Sequence, residues 1–390
     1  MDEFFTKVLI EINNKYGSNQ YVMGRLQNYI NNLPTLLEND LRQYEQRIER
    51  NDELTNELEL FKKSFFVSNK YYYLPINNTF YEYDGKTYSV ISEDNILHNL
   101  LSTINNEGKL TQWKYKTKSI ILREIKERQL FNSIPESYTI EKVTNLLQEM
   151  LFTNKQEAKY FLTIIGDGLL KKQTDNMYFV SSNVKEFLNY FNELLFAITH
   201  SYSYNSNFIS RYHNVHDITN YRLIPEKDGV ILMTDFNKLV DKYYIDILCV
   251  ASYFSKLYDS AENYIITETK DNLHNYVMFF KNKSINTIIE DFVKTCITKL
   301  DNNNNNNNNN NDTITDSTIS NYYISWRNML KIWDKYLTEI NIPNFIRNDS
   351  LKEILKLMLN TSYHINEGDE QVFIGIISKY LSNKQSNKNK

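Results

Sequence analysis

Apolar residues recur at spacings of three and four through the first 69 positions. Phe4, Val8, Ile10 and Ile12 open the series, and Leu36, Leu37, Leu41, Tyr44 and Ile48 continue it among charged residues. That period describes one face of an α-helix. Such a face can pair with a partner helix; we read it as packing on the protein's own core. The next stretch, YYYLPINNTFYEYDGKTYSVIS, alternates β-favouring residues around Asp84-Gly85, a two-residue hairpin signal. Ser92 then supplies an N-cap for SEDNILHNLLSTI, with Ile91 placed to staple onto Ile96.

From Thr111 to about Leu300 the pattern is helical, with strand-like interruptions at NMYFVSS and GVILMT. Ser133 with Glu136, and Asn154 with Glu157, have capping-box spacing and mark helix starts. Asn302 to Asn311 is an unbroken asparagine tract, which cannot bury apolar area to offset chain entropy and is expected to be disordered. Beyond it, Ile324, Met329 or Leu330, Trp333, Tyr336, Leu337 and Ile340 share a helical face. SLKEILKLML and QVFIGIISKYL are read as two further helices, and the tail SNKQSNKNK as frayed. The expected fold is therefore mainly α and multidomain, with a small β-hairpin element near residues 70–91. Its divisions are an N-terminal helical segment (1–69), hairpin plus helix (70–110), a central helical domain (111–300), an Asn-rich linker (301–320), a C-terminal helical module (321–382) and a tail (383–390).

Composition supports this picture, because 9 Gly and 5 Pro in 390 residues are too few for a loop-rich sandwich or a multi-turn α/β barrel. The 30 Tyr and 21 Phe, with abundant Asn, Lys and Ile, fit an AT-rich genome and are discounted as a functional signal. A net charge of −4 excludes a globally basic nucleic-acid coat but not a local basic patch. Cys249 and Cys296 lie in apolar helical stretches, which suits two buried thiols in a reducing compartment. No apolar run approaches a membrane span, and the acidic, amphipathic start differs from a secretory signal, so a soluble intracellular protein without membrane partners is expected.

Four stretches are candidates for chemistry. EAKYFLTIIGDGLLKKQ carries two glycines and two lysines, yet Ala158, Phe161, Leu162, Ile165 and Leu169 share a helical face and the Walker spacing is absent. We read Gly166 and Gly168 as a close helix contact or a C-cap region, with Lys171 and Lys172 at the negative end of the dipole. QWKYKTKSIILREIKER is the nucleic-acid candidate: Lys114, Lys116, Lys118, Arg123, Lys126 and Arg128 would meet phosphates, and Trp113 and Tyr115 would stack on bases. Glu124 and Glu127 dilute that signal, and a solvated face with internal ion pairs is the alternative. His213, His216, Asp217 and Arg222 are clustered, but no third or fourth metal ligand has diagnostic spacing. Asp84, Glu93 and Asp94 are explained by turn and helix-start preferences. No familiar catalytic or cofactor motif appears, so neither enzyme activity nor a cofactor or metal is expected.

The runs IKERQLFNSIPESYTIEKV, AKYFLTIIGDGLLKK, RYHNVHDITNYRLI, DILCVASYFS, ISWRNMLKIWDKYLTEINIPNFI and VFIGIISKYL resemble a group of uncharacterised proteins of nucleocytoplasmic large DNA viruses infecting protists. The resemblance covers most of the chain from about Phe65 onward. In element order the chain is also similar to regions flanking the ATPase of poxvirus-type primase-helicases. It departs from those enzymes in lacking a Walker A loop and a Walker B strand, which removes ATP-driven unwinding by this polypeptide alone. The resemblance implies work in the host cytoplasm or virion and carries over no catalytic residue. Two functions remain open. The favoured one is a non-catalytic nucleic-acid-associated or replication-accessory factor binding DNA or RNA; the alternative is an interaction or structural protein docking viral or host proteins.

Overall fold

The N-terminal apolar stripe does fold as helix, but among the described residues of its own unit most of it is left uncovered. A computed structural model describes residues 2–200, 207–212, 216–227, 233–269, 271–300, 322–359, 363–365 and 371–381. The fold is mainly α, with small sheets of two or three strands. Two compact units form, Met1–Tyr71 with Val90–Glu127, and Tyr72–Ser89 with Arg128–Lys390.

The first unit holds α1 (Asp2–Tyr16), α2 (Gln20–Ser68), α3 (Glu93–Glu107) and α4 (Lys114–Glu127). Asn19 starts α2 by accepting from the Val22 amide at 3.2 Å, and Ser92 starts α3 by accepting from Asn95 N, as its cap chemistry predicts. The 49 residues of α2 are unequal. Near its C-terminal end Leu58, Phe61 and Phe65 are buried, matched by Ile96, Leu100 and Ile104 on α3 and Thr117, Ile121 and Ile125 on α4. Lys62–Glu124 and Lys109–Glu57 ion pairs tie these parts together. Along the rest of α2 every residue from 27 to 53 is exposed. Leu36, Leu37, Leu41, Tyr44 and Ile48, expected on the core, are 44–62% exposed. Spacing records that a helix has an apolar face and is silent about what covers it, which is why this expectation failed.

The second unit begins with the sheet β1 (Lys70–Leu74), β2 (Thr79–Tyr83) and β3 (Tyr88–Ile91), in that order; the chain passes between units within β1 and β3. The Asp84-Gly85 turn joins β2 to β3 as predicted, with Asp84 Oδ1 accepting from the Lys86 and Thr87 amides at 2.7 Å. The helices α5 (Ser137–Met150) and α6 (Lys155–Leu169) follow. Ser133 does not start α5. Pro135 biases the residue before it away from helical backbone, Tyr88 Oη donates to Ser133 Oγ at 3.0 Å, and α5 begins only after Glu136.

Next come β4 (Met177–Phe179), α7 (Ser182–Thr199), β5 (Phe208–Ile209) and β6 (Tyr221–Leu223). β4 is the strand expected within NMYFVSS. It lies between β5 and β6 and runs parallel to both, with Tyr178 opposite Phe208 on one side and Arg222 on the other. The helices α8 (Met233–Tyr258), α9 (Ala261–Glu268), α10 (Asp271–Val277) and α11 (Ile285–Cys296) complete the central part. Of GVILMT, Met233 and Thr234 open α8, and the preceding four residues lie outside the described ones. One core gathers around α6 and α8, where Phe161, Leu162, Phe187, Ile247 and Leu248 are almost fully buried.

The final elements are β7 (Ile297–Lys299), β8 (Tyr323–Ser325), α12 (Trp326–Glu339), α13 (Asn348–Leu359), β9 (Tyr363–Ile365), β10 (Gln371–Ile374) and β11 (Ile376–Ser378). QVFIGIISKYL is thus two strands where a helix was expected. Gly375 sits between them at φ 77°, backbone that ends any helix, and the β-branched residues on either side suit pleated surfaces. β10 pairs antiparallel with β8 and β9, and β11 pairs antiparallel with β7. Gly375 also joins two distant points, since Leu300 N donates to its carbonyl at 3.0 Å and its own amide donates to Tyr322 O at 2.8 Å. A second core therefore draws on Ile288, Ile289 and Phe292 before the asparagine tract and on Met329, Trp333, Leu351 and Phe373 after it. The tract and tail, expected to be disordered, lie outside the described residues. Among the described residues no helix is long and apolar enough to cross a membrane.

Candidate functional site

The glycine-lysine stretch is a helix end and a helix crossing. α6 runs through Gly166 and Gly168, and a methyl group placed on Gly166 would lie 2.0 Å from the Ala251 carbonyl oxygen and 2.7 Å from Ser255 Cβ on α8. Glycine here lets two backbones touch. Asp167 accepts from Ser255 Oγ at 2.5 Å and from the Ala261 amide at 2.7 Å, while Lys172 donates to Ser255 O at 2.8 Å and to Asp259 O. Burial pushes the Asp167 carboxyl above its ordinary range, against those hydrogen bonds and the nearby Lys172. The two residues stitch the end of α8 to the start of α9.

At the other end of α6 the predicted Asn154 cap is present, with the return bond from Glu157 displaced by one residue. Asn154 Oδ1 accepts from the Gln156 and Glu157 amides, and Glu157 accepts from the Thr153 amide at 2.8 Å. This end opens onto a cleft of about 1160 Å³ that also receives Ser181 and Glu226, the residues following β4 and β6. Glu226 accepts from the Ser181 amide at 2.6 Å, and burial raises its carboxyl. The first-turn amides of α6 and α7 are thus already taken by the Asn154 and Ser181 side chains, and the Thr153 and Ser181 amides just ahead of them by the carboxylates of Glu157 and Glu226, which repel a phosphate.

The basic-aromatic candidates occupy α4 and the 3-10 turn Thr111–Trp113 before it. Lys116 Nζ lies 3.4 Å from the centre of the half-buried Trp113 ring, so that face is covered by a cation of the same chain. Tyr115 is 84% exposed. Lys114 donates to Asn105 Oδ1 at 3.2 Å, Arg123 lies 4.0 Å from Glu127, Lys126 lies 3.9 Å from Glu93, and Lys118 is half-buried. Arg128 belongs to the second compact unit, where its carbonyl accepts from the Tyr73 amide. The cations thus share their helix with carboxylates, the arrangement named above as the alternative to a phosphate-binding face.

In the histidine region, His213 lies outside the described residues and His216 is exposed. Asp217 caps a 3-10 turn by accepting from the Thr219 amide at 2.9 Å, a bond that lowers its carboxyl pKa. Arg222 is buried and donates to Thr219 O, Tyr221 O and Glu262. Among the described residues no group of three or more His, Cys, Asp or Glu is arranged to hold a metal ion.

What sequence reasoning placed wrongly is an apolar stretch that lies exposed. Of the large hydrophobic side chains exposed among the described residues, 14 of 26 lie between Phe4 and Ile48, so exposure is concentrated on α1 and the first two-thirds of α2. On α2 they form a row, Ile30, Leu33, Leu37, Leu41, Tyr44 and Ile48, that leads directly into buried Leu58. The signal was in the sequence as the stripe itself. No protein-family model matches this chain, and neither does any curated protein or solved structure.

Proposed function

We propose that this protein is an interaction factor, a folded helical body carrying an N-terminal arm that docks helix against helix. The observation that supports the reading is the bare apolar row on α2, with all 27 residues from 27 to 53 exposed. Most helical stability in proteins comes from packing an apolar face, which nothing among the described residues of this unit supplies along that stretch. Scattered surface leucines need no explanation, whereas a contiguous apolar strip marks an interaction site. In the viral setting that the sequence resemblance implies, the factor works in the host cytoplasm or virion. The nucleic-acid reading is less well supported, since the α4 cations stand beside Glu93 and Glu127.

The test is a photo-crosslinking amino acid at Leu41 in the full chain, expressed in cells and irradiated. The expected result is a discrete adduct through position 41, with none from a control position such as Leu357, which is exposed outside the arm. Equal, diffuse labelling at both positions would remove the reading.

A further inference from the structure

Resting on that reading, we propose that the helix docked by the arm is the same arm of a second copy, the two α2 helices lying parallel and in register. From Leu37 the positions Leu41, Tyr44, Ile48, Asn51, Thr55 and Leu58 follow at 4, 3, 4, 3, 4 and 3. That is three heptads of a two-stranded seam. Above it Leu26, Ile30, Leu33 and Leu37 repeat 4, 3 and 4, so the two series share Leu37 with one four-residue insertion, a stutter that locally unwinds a supercoil without ending it. The lower end of the seam is already in use within the unit, because Leu58 is 4% exposed, and the arms diverge there.

Three features point to a second copy. Ile30, Leu33, Leu37, Leu41, Tyr44 and Ile48 are each 44–62% exposed, so pairing with a second copy covers an apolar row on both chains at once. A strip facing its own image is isologous, so every apolar position meets an apolar position without a partner of separate origin. Asn51, a d-type position of this series, bears on direction: in a parallel, in-register pair its amide meets the Asn51 amide of the second copy, and each can both donate and accept. In the same register Arg47 flanks the seam within reach of Asp52 of the second copy, an attractive pair. Asp40 and Glu45 form a repulsive one at the stutter, where the helices are less tightly wound.

The experiment uses the purified full chain. Light scattering behind size exclusion at about 10 µM, where a micromolar Kd leaves mostly dimer, should give twice the chain mass. L41E/I48E, which alters only side chains exposed in the single chain, should halve that mass with the far-ultraviolet helical signal of the body retained. N51C should then form a disulfide-linked dimer on mild oxidation, since Cys249 and Cys296 are buried. A single-chain mass for the unaltered protein overturns self-pairing. It does so even if the Leu41 crosslink in cells yields an adduct with a different protein, an outcome that leaves the docking reading standing. A dimer that survives L41E/I48E, or that gives no N51C crosslink, also overturns the proposal.

Discussion

Replacing Gly166 by alanine tests whether α6 and α8 meet backbone to backbone. A new Cβ would stand 2.0 Å from the Ala251 carbonyl oxygen and 2.6 Å from its carbon, more than 1 Å inside normal contact. The obstacle is backbone, so no rotamer change relieves it, and the helices must part where Phe161 and Ile247 are fully buried. Overpacking a core costs about 1–3 kcal/mol and more where backbone must shift, while alanine returns about 1 kcal/mol of helix propensity. Since backbone must shift here, the cost is taken as about 3–4 kcal/mol, and the balance is a loss of roughly 2–3 kcal/mol. For a unit of this size each kcal/mol moves Tm by about 2–4 °C, so G166A should melt about 4–12 °C lower. Gly24 in α2 is the counterpart: a methyl there meets nothing within 4 Å, so G24A should gain about 0.5–1 kcal/mol of local helix stability. Near-ultraviolet circular dichroism reads the core during thermal unfolding, and far-ultraviolet intensity reads the arm. A G166A protein melting within about 1 °C of the original would refute the close crossing.

Three further outcomes can be measured. Burial acts to raise the Glu262 carboxyl, but Asn176, Lys281 and Arg222 outweigh it and hold the pKa at about 2, below the ordinary 4.5. A depressed carboxyl contributes stability above 4.5 that is lost as pH falls through about 2, so the stability gap between the original protein and E262Q should narrow across that window; a constant gap in denaturant titrations would exclude it. Asp167 and Asp246, raised by burial, contribute with the opposite sign and are unchanged in both proteins. Cys249 and Cys296 are buried, and burial raises both thiols, so a disulfide reagent should label them at the unfolding rate, and immediate labelling would contradict their placement. A gel-shift titration should show no retention of single- or double-stranded DNA at about 150 mM salt; a salt-sensitive shift lost in K114A/K116A/K118A would move α4 ahead of the arm.

How far the fold was legible depended on whether local chemistry decided the outcome. The Asn154 cap, the Ser92 cap and the Asp84-Gly85 turn are satisfied by neighbours in sequence, and all three formed as read. Ser133 has the same local spacing, but its hydroxyl accepts from Tyr88, 45 residues away, and Pro135 follows. The strands β5 and β6 are two and three residues long, too short for any period, and exist because β4 pairs with both. QVFIGIISKYL has enough apolar residues to suit either helix or strand; Gly375 and pairing with β7 and β8 decide it. The arm is the reverse case. Its stripe was plain in Leu37, Leu41, Tyr44 and Ile48, but burial is a property of neighbours, and none of the chain's other described helices covers that row.

Gly375 bears on how the fold accommodates a change in the length of its asparagine-rich segment. Leu300 and Tyr322 both bond to it, so the asparagine run begins and returns at a single fastened point. For a loop closed in this way, doubling the number of residues costs only about 0.6 kcal/mol. A change in the number of residues between Leu300 and Tyr322 would leave both bonds to Gly375, and the strands they join, as they are.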